Sequence, residues 1–226
     1  MFDLEFLESD FLAACDEVGR GPLAGPVVGS CVLVEKKYLT KENLEYLLSL
    51  GVTDSKKLSS KKRIKILDEL GINFNLINQR VDMEINQNFK FSFSTRVISN
   101  EIIDEVNILR ASLMAMGQGF KDCYNGESLG RVLIDGNKLL ELNLENVSEK
   151  FVIKGDSKSA LIGLASIIAK EYRDGLMENL GIKYPGYGLE KHAGYPTKAH
   201  KEAIVKLGVT PIHRRSFKGV KEYCQI

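Results

Sequence analysis

The sequence predicts an α/β fold: a mixed sheet flanked by helices, with a helical C-terminal extension. Three observations predict it. First, two strand-like runs near the N-terminus, FLAAC (11–15) and VVGSCVLVE (27–35), are joined by a connection dense in glycine and proline, the pattern of an antiparallel pair. Second, beyond residue 99 short apolar runs alternate with long helical periodicities, and strands followed by alternating strands and helices give a mixed sheet with helices on its faces. Third, after about residue 180 the strand-like runs stop, and a loop leads to one further capped helix.

Taken in order, residues 11–15 read as a short buried strand, DEVGRGPLAGP as a loop or tight turn, and the β-branched stretch 27–35 as the second strand. Residues 41–50 carry Leu44, Leu47 and Leu48 at helical spacing. Ser59 or Ser60 caps a helix that runs to Leu70 and ends at Gly71. INFNLINQRV (72–81) alternates in part and reads as a third strand. Ser99 to Phe120 reads as one long helix, with Ile102, Ile103, Val106, Leu109, Leu113 and Met116 on one face. RVLID (131–135) and KFVIK (150–154) are apolar runs of the kind found in buried strands. Residues 157–180 form another long helix whose run SALIGLASIIAK is apolar on nearly every side, which places it beneath the sheet. KYPGYGLEKHAGYPT is a loop, after which Thr197 caps a helix ending near Gly208. There are no internal repeats. The main body is expected over 1–180 and the C-terminal helical extension over 181–226.

A chain of 226 residues with 44% hydrophobic and 27% charged residues is long enough to bury a sizeable core without staples. Its four cysteines, Cys15, Cys31, Cys123 and Cys224, form no CxxC pair and match no zinc spacing. The acidic N-terminus MFDLEFLESDF does not resemble a signal peptide. No apolar stretch approaches the ~20 residues that span a bilayer. These features predict a reduced, cytoplasmic protein without a membrane segment, its cysteines serving as small apolar groups. The net charge of +1 hides an asymmetry: from Lys154 onward there are 13 Lys/Arg against 7 Asp/Glu. A basic C-terminal third suits a polyanionic partner, although a solvated surface produces the same count.

Four acids stand where chemistry concentrates. Asp16 and Glu17 close the first strand, Asp135 ends RVLID, and Asp156 follows KFVIK; Gly19, Gly136 and Gly155 lie beside them. Acids at strand ends meet at one rim of a sheet, where α/β folds bind ligands. Clustered carboxylates repel unless a hard divalent cation neutralises them. Each acid taken alone is more commonly a cap or turn residue. The Asp16–Glu17 pair is less ordinary, because two acids directly after a buried run need partners. Gly19-Arg20-Gly21 allows close backbone approach to a phosphate or sugar hydroxyl, or makes a plain tight turn. Lys56 and Lys57, in TDSKKLS, suit phosphate contacts or simple solvation. Tyr195, in HAGYPT, suits stacking on a sugar or base, or burial with a bonded hydroxyl. His192, His200 and His213 are too scattered along the chain to imply a metal site.

Together the segments ACDEVGRGPLAGPVV, TDSKKLS, VNILRASLMAM, LIDGNK, KGDSKSALIGLASIIAK, YPGYGLEKHAGYPTKAH and PIHRRSF resemble the type 2 ribonuclease H family of bacteria, in the family's order and over most of the chain. The resemblance implies a ribonuclease H-like fold with 1–180 as catalytic domain and 181–226 contributing to substrate binding. It implies an endonuclease that cuts RNA in RNA–DNA hybrids and cuts 5′ of single ribonucleotides in duplex DNA, leaving 3′-hydroxyl and 5′-phosphate ends. It places the family's metal-binding acids on Asp16, Glu17, Asp135 and Asp156, which would hold two Mg²⁺ or Mn²⁺ ions. It places 2′-hydroxyl recognition on the backbone of Gly19, Arg20 and Gly21, and the tyrosine that stacks on the following deoxyribose on Tyr195. Monomers are the family's default. The related type 3 enzymes carry an extra N-terminal DNA-binding domain; with only about ten residues before the first strand, that reading is disfavoured. The tail KEYCQI shows no clear motif for binding a sliding clamp. An inactive nucleic-acid-binding protein and another two-metal nuclease of the same fold are the alternative readings.

Overall fold

A computed structural model describes residues 2–74 and 77–224. Its centre is one six-stranded sheet built from β1 (Phe11–Val18), β2 (Val27–Glu35), β3 (Val81–Asn86), β4 (Phe89–Ile98), β5 (Gly130–Asp135) and β6 (Val147–Val152), in the order β3-β4-β2-β1-β5-β6. β1 and β2 pair antiparallel, as their glycine-rich connection predicts. β4 and β3 extend the antiparallel side, while β5 and β6 run parallel to β1. The helices are α1 (Lys41–Ser49), α2 (Ser60–Glu69), α3 (Asn100–Val106), α4 (Ile108–Cys123), α5 (Ala160–Lys183), α6 (Leu189–His192) and α7 (Lys198–Leu207).

Successive side chains of a strand point to opposite faces, so β1 contributes to two cores. Leu12 and Ala14 pack with Leu161, Ile162, Leu164 and Ile168 of α5. Phe11, Ala13 and Cys15 pack with Met116 and Phe120 of α4. Residues 160–169 of α5 are all buried, as expected for a helix apolar all round. Its N-terminus is tied down from a distance: buried Asp3 accepts hydrogen bonds from the Ser159 hydroxyl and from the Ala160 amide at 2.8 Å. Buried Arg63 of α2 pairs with Glu171 (2.8 Å) and Asp174 (2.9 Å) of α5. The same guanidinium donates to the carbonyls of Leu58 (2.8 Å) and Ser55 (3.3 Å), which holds the turn carrying Lys56 against α5. A separate cluster of Leu23, Ala24, Met177, Tyr187, Leu189, Ile204 and Val220 packs the C-terminal segment onto the β1–β2 connection.

Four elements differ from the sequence expectation. Of the strand expected over 72–81, Asn75 and Leu76 lie outside the described residues, and the strand begins only at Val81. The third sheet partner is instead the β3–β4 hairpin, in which Val81, Met83 and Ile85 alternate with exposed residues. The single helix expected over 99–120 is two helices, because Asn107 sits at φ +71°. Asparagine tolerates positive φ, and its side chain caps α4 by accepting from the Arg110 amide at 3.1 Å. KFVIK is not a buried strand: β6 ends at Val152, lies at the sheet edge, and leaves Phe151 and Ile153 exposed. The long helix begins at Ala160 rather than 157, after one 3₁₀ turn over Gly155–Ser157.

All four cysteines are free, three of them buried and Cys224 half-buried. Among the described residues no helix is long and apolar enough to cross a membrane.

Candidate active site

Sheet register gathers the acids. β1 and β5 pair with Cys15 opposite Ile134, so the next residues, Asp16 and Asp135, stand side by side at the C-terminal ends of parallel strands. β5 pairs with β6 through Asp135 and Val152, and the 3₁₀ turn that follows carries Asp156. Gly155 lies between them because its amide donates to Asp135 Oδ1 at 2.6 Å; a β-carbon there would stand 2.5 Å from Ile162 Cδ1 and 3.2 Å from that oxygen.

The carboxylates are short of compensating charge. Burial, then Glu17 and Asp135, holds Asp16 well above the ordinary carboxylate range, against hydrogen bonds from Ser166 and the Glu17 amide. Burial pushes Glu17 up to about 7; the Arg20 cation opposes this and Asp135 adds to it. Asp156 is raised by burial, then by Asp135 and Asp54. Burial disfavours the charge of Lys56, yet Asp16, Asp156 and Asp54 outweigh that and raise it overall. Lys57 turns outward, its Nζ 3.6 Å from Asp54. The two lysines of TDSKKLS therefore part company: Lys56 faces the acids and Lys57 the solvent.

Sequence reading missed Asp54 and Ser166. Asp54 caps the 3₁₀ turn at 55–57 by accepting from the Lys56 amide at 3.0 Å, and it interacts with Asp156. Ser166 of α5 bonds Asp16 and also shares a 2.8 Å hydroxyl contact with Ser55. A cap motif before a helix was the only local signal for Asp54, and nothing local distinguishes Ser166.

The acids that meet at this rim offer oxygen donors, only partly compensated by Lys56 and Arg20, so in donor type and charge the set fits a hard divalent cation. Among the described residues, however, no three His, Cys, Asp or Glu side chains are drawn into a coordination sphere. One oxygen each of Asp16 and Asp135 is engaged by a backbone amide. Two surface concavities, one lined by Leu33, Arg80 and Phe91 and one by Asn107, Leu113 and Leu142, include none of these acids.

Beside the acids the chain leaves β1 through Gly19, at φ +99°, where a β-carbon would stand 2.2 Å from Arg173 Nε. Arg20 and Gly21 are exposed, and Arg20 Nη1 lies 3.5 Å from Glu17 Oε1. Half-buried Tyr195 lies against Gly21: a β-carbon on Gly21 would be 3.4 Å from its ring. The glycine loop and Tyr195 thus form one surface next to the acids.

The three histidines, scattered in sequence, converge behind Tyr195. The Thr210 amide donates to His213 Nδ1 at 3.0 Å, which leaves the His213 proton on Nε2. That proton points to His200 Nε2 at 3.2 Å, so His200 carries its own proton on Nδ1 and donates it to the Tyr195 carbonyl at 3.0 Å. His192 stacks on His200 with ring centres 4.7 Å apart. The cluster anchors the Tyr195 backbone through His200.

Known proteins share this chain's sequence pattern and its fold. The family model described as Ribonuclease HII matches residues 13–220. A ribonuclease HII from Desulfotalea psychrophila is 42% identical over 224 residues, covering 99% of this chain and 87% of that protein. Among solved structures, ribonuclease H2 from Pyrococcus horikoshii OT3 superposes with a TM-score of 0.65 at 24% identity, covering 94% of this chain and 96% of its own. Bst ribonuclease HIII, solved in complex with Mn²⁺, superposes with a TM-score of 0.63 at 16% identity, covering 98% of this chain and 71% of its own. These two likenesses establish the ribonuclease H-like fold. The sequence match establishes the rest: this chain belongs to the ribonuclease HII family, endonucleases that cleave the RNA strand of RNA–DNA hybrids.

Proposed function

We propose that the protein also cuts duplex DNA on the 5′ side of single embedded ribonucleotides, leaving a 3′-hydroxyl and a 5′-phosphate. In this reading Asp16, Glu17, Asp135 and Asp156 hold two Mg²⁺ or Mn²⁺ ions. When bound, such ions activate water and stabilise the leaving oxygen in phosphodiester hydrolysis. The observation that carries the reading is the parallel β1–β5 register, which stands Asp16 beside Asp135 where burial and the neighbouring acids raise the Asp16 carboxyl.

The chain's own residues supply orientation. Backbone amides of Gly19, Arg20 and Gly21 meet the 2′-hydroxyl, Lys56 meets the phosphate beside the acids, and the Tyr195 ring stacks on the next deoxyribose. Lys57, exposed and paired with Asp54, adds a weaker phosphate contact. The segment 181–226 forms the docking face of the duplex, with Lys191, Lys198, Lys201, Lys206, Arg215 and Lys218 exposed on it. The protein works as a monomer in the cytoplasm.

Incubation with a DNA duplex containing one ribonucleotide, beside an all-DNA control and with Mg²⁺ or Mn²⁺, tests this. Cleavage confined to the 5′ side of the ribonucleotide is expected. Cleavage of uniform hybrids with an intact single-ribonucleotide duplex overturns it.

A further inference from the structure

Two arginines, Arg173 of α5 and Arg214, are fully buried. Among the described residues neither reaches ion-pairing distance of a carboxylate, and every donor bond they make ends on a backbone carbonyl. Arg214 donates to Gly19 (2.6 Å), Arg20 (3.0 Å), Gly25 (2.9 Å) and Pro26 (3.0 Å). Arg173 donates to Pro26 (2.9 Å), Ala24 (3.3 Å) and Ala193 (3.0 Å). Burying an unpaired cation is costly, and burial lowers both from the ordinary arginine value, Arg214 also through the charge of Arg173. So expensive an arrangement implies that it does more than fill space.

Peptide geometry shows what it does. In a trans peptide the carbonyl and the following N–H point in opposite directions. Drawing the Gly19 and Arg20 carbonyls inward to Arg214 therefore turns the amides of Arg20 and Gly21 outward. Among the described residues no backbone acceptor meets these amides. Polarisation by the guanidinium also strengthens them as donors. Arg173 extends the frame to Ala193, two residues before Tyr195, and the Leu23 amide bonds Gly194 at 2.8 Å.

We propose that Arg214, supported by Arg173, is a positioning residue that acts through the Gly19 and Arg20 carbonyls to aim the Arg20 and Gly21 amides at the ribonucleotide 2′-hydroxyl. The inference rests on the proposed role of this loop. Lysine keeps the charge but cannot fork to several carbonyls, so Arg214→Lys isolates the geometry.

The test uses the full chain, with folding verified by circular dichroism. KM and kcat are measured on a duplex containing one ribonucleotide, and an all-DNA duplex of the same sequence serves as competitor to give Ki. Arg214→Lys is expected to raise KM about tenfold through loss of well-aimed hydrogen bonds, with kcat and the DNA Ki little changed. Arg173→Lys loosens the same frame, is expected to raise KM in the same sense, and serves where Arg214→Lys does not fold. Leu67→Ala, a distant core cavity that lowers stability, is expected to leave both constants unchanged. A folded Arg214→Lys protein with wild-type KM, or with KM and Ki rising together, overturns the positioning role. A wild-type protein that binds both duplexes equally overturns instead the underlying reading of the loop.

Discussion

Changing Glu17 to glutamine measures the electrostatic strain of the acidic rim. Glu17 is pushed from its ordinary value of 4.5 up to about 7, chiefly by burial. A carboxyl raised in the folded state lends stability that is full below 4.5 and lost as pH rises to 7. At 1.36 kcal/mol per decade the ionised group costs the fold about 3 kcal/mol above pH 7. Glutamine keeps the shape without the charge but gives up the pairing with Arg20, whose side chain is half exposed, so the net gain is about 2 kcal/mol. For a chain of this size that raises Tm by roughly 4–8 °C. Calorimetry of wild type and Glu17→Gln in chelator, from pH 4.5 to 8, checks it. The variant should melt higher at pH 8, the difference should vanish towards pH 4.5, and added Mg²⁺ should stabilise the wild type more. A gain that is absent at pH 8, or the same at every pH, refutes the electrostatic reasoning.

Three further outcomes follow from the same geometry. Asp16→Asn keeps the acceptor for the Glu17 amide, so circular dichroism should show an intact fold while cleavage falls at least about 10³-fold; full activity removes Asp16 from its proposed role. Gly19→Ala forces a side chain into positive φ and onto Arg173 Nε and the Pro26 carbonyl, and urea denaturation should show a loss of about 2 kcal/mol or more. His213 is lowered from 6.5 to about 4 by burial and by His200, so it favours the fold while neutral. That stability is present above 6.5 and lost as pH falls towards 4, and urea midpoints should drop less steeply across this window for His213→Gln than for wild type.

Local pattern made much of the fold legible. The β-branched run at 27–35 and the all-apolar run in 157–180 each have one good solution, an inner strand and a helix beneath the sheet, and both were found. The hairpin at 81–98 was missed, although Val81, Met83 and Ile85 alternate with exposed residues. The break at Asn107 escaped because helical spacing of apolar residues continues across it, while the positive φ is set by one residue. KFVIK looked buried because its composition is apolar, but edge position is decided by strand order, which composition does not encode.

The amino-acid sequence by itself determined the family and singled out the four acids, the glycine loop and Tyr195 as candidates, because each lies within a short contiguous motif. Only the tertiary structure decided how they act together. It stood Asp16 beside Asp135 across the β1–β5 register, turned Lys56 towards the acids and Lys57 away from them, and gathered three histidines behind Tyr195. It also buried Arg173 and Arg214 beneath the glycine loop. The acid pairing and the arginine frame join residues far apart in the chain, and their energies depend on burial and register, which arise only once the sheet has formed.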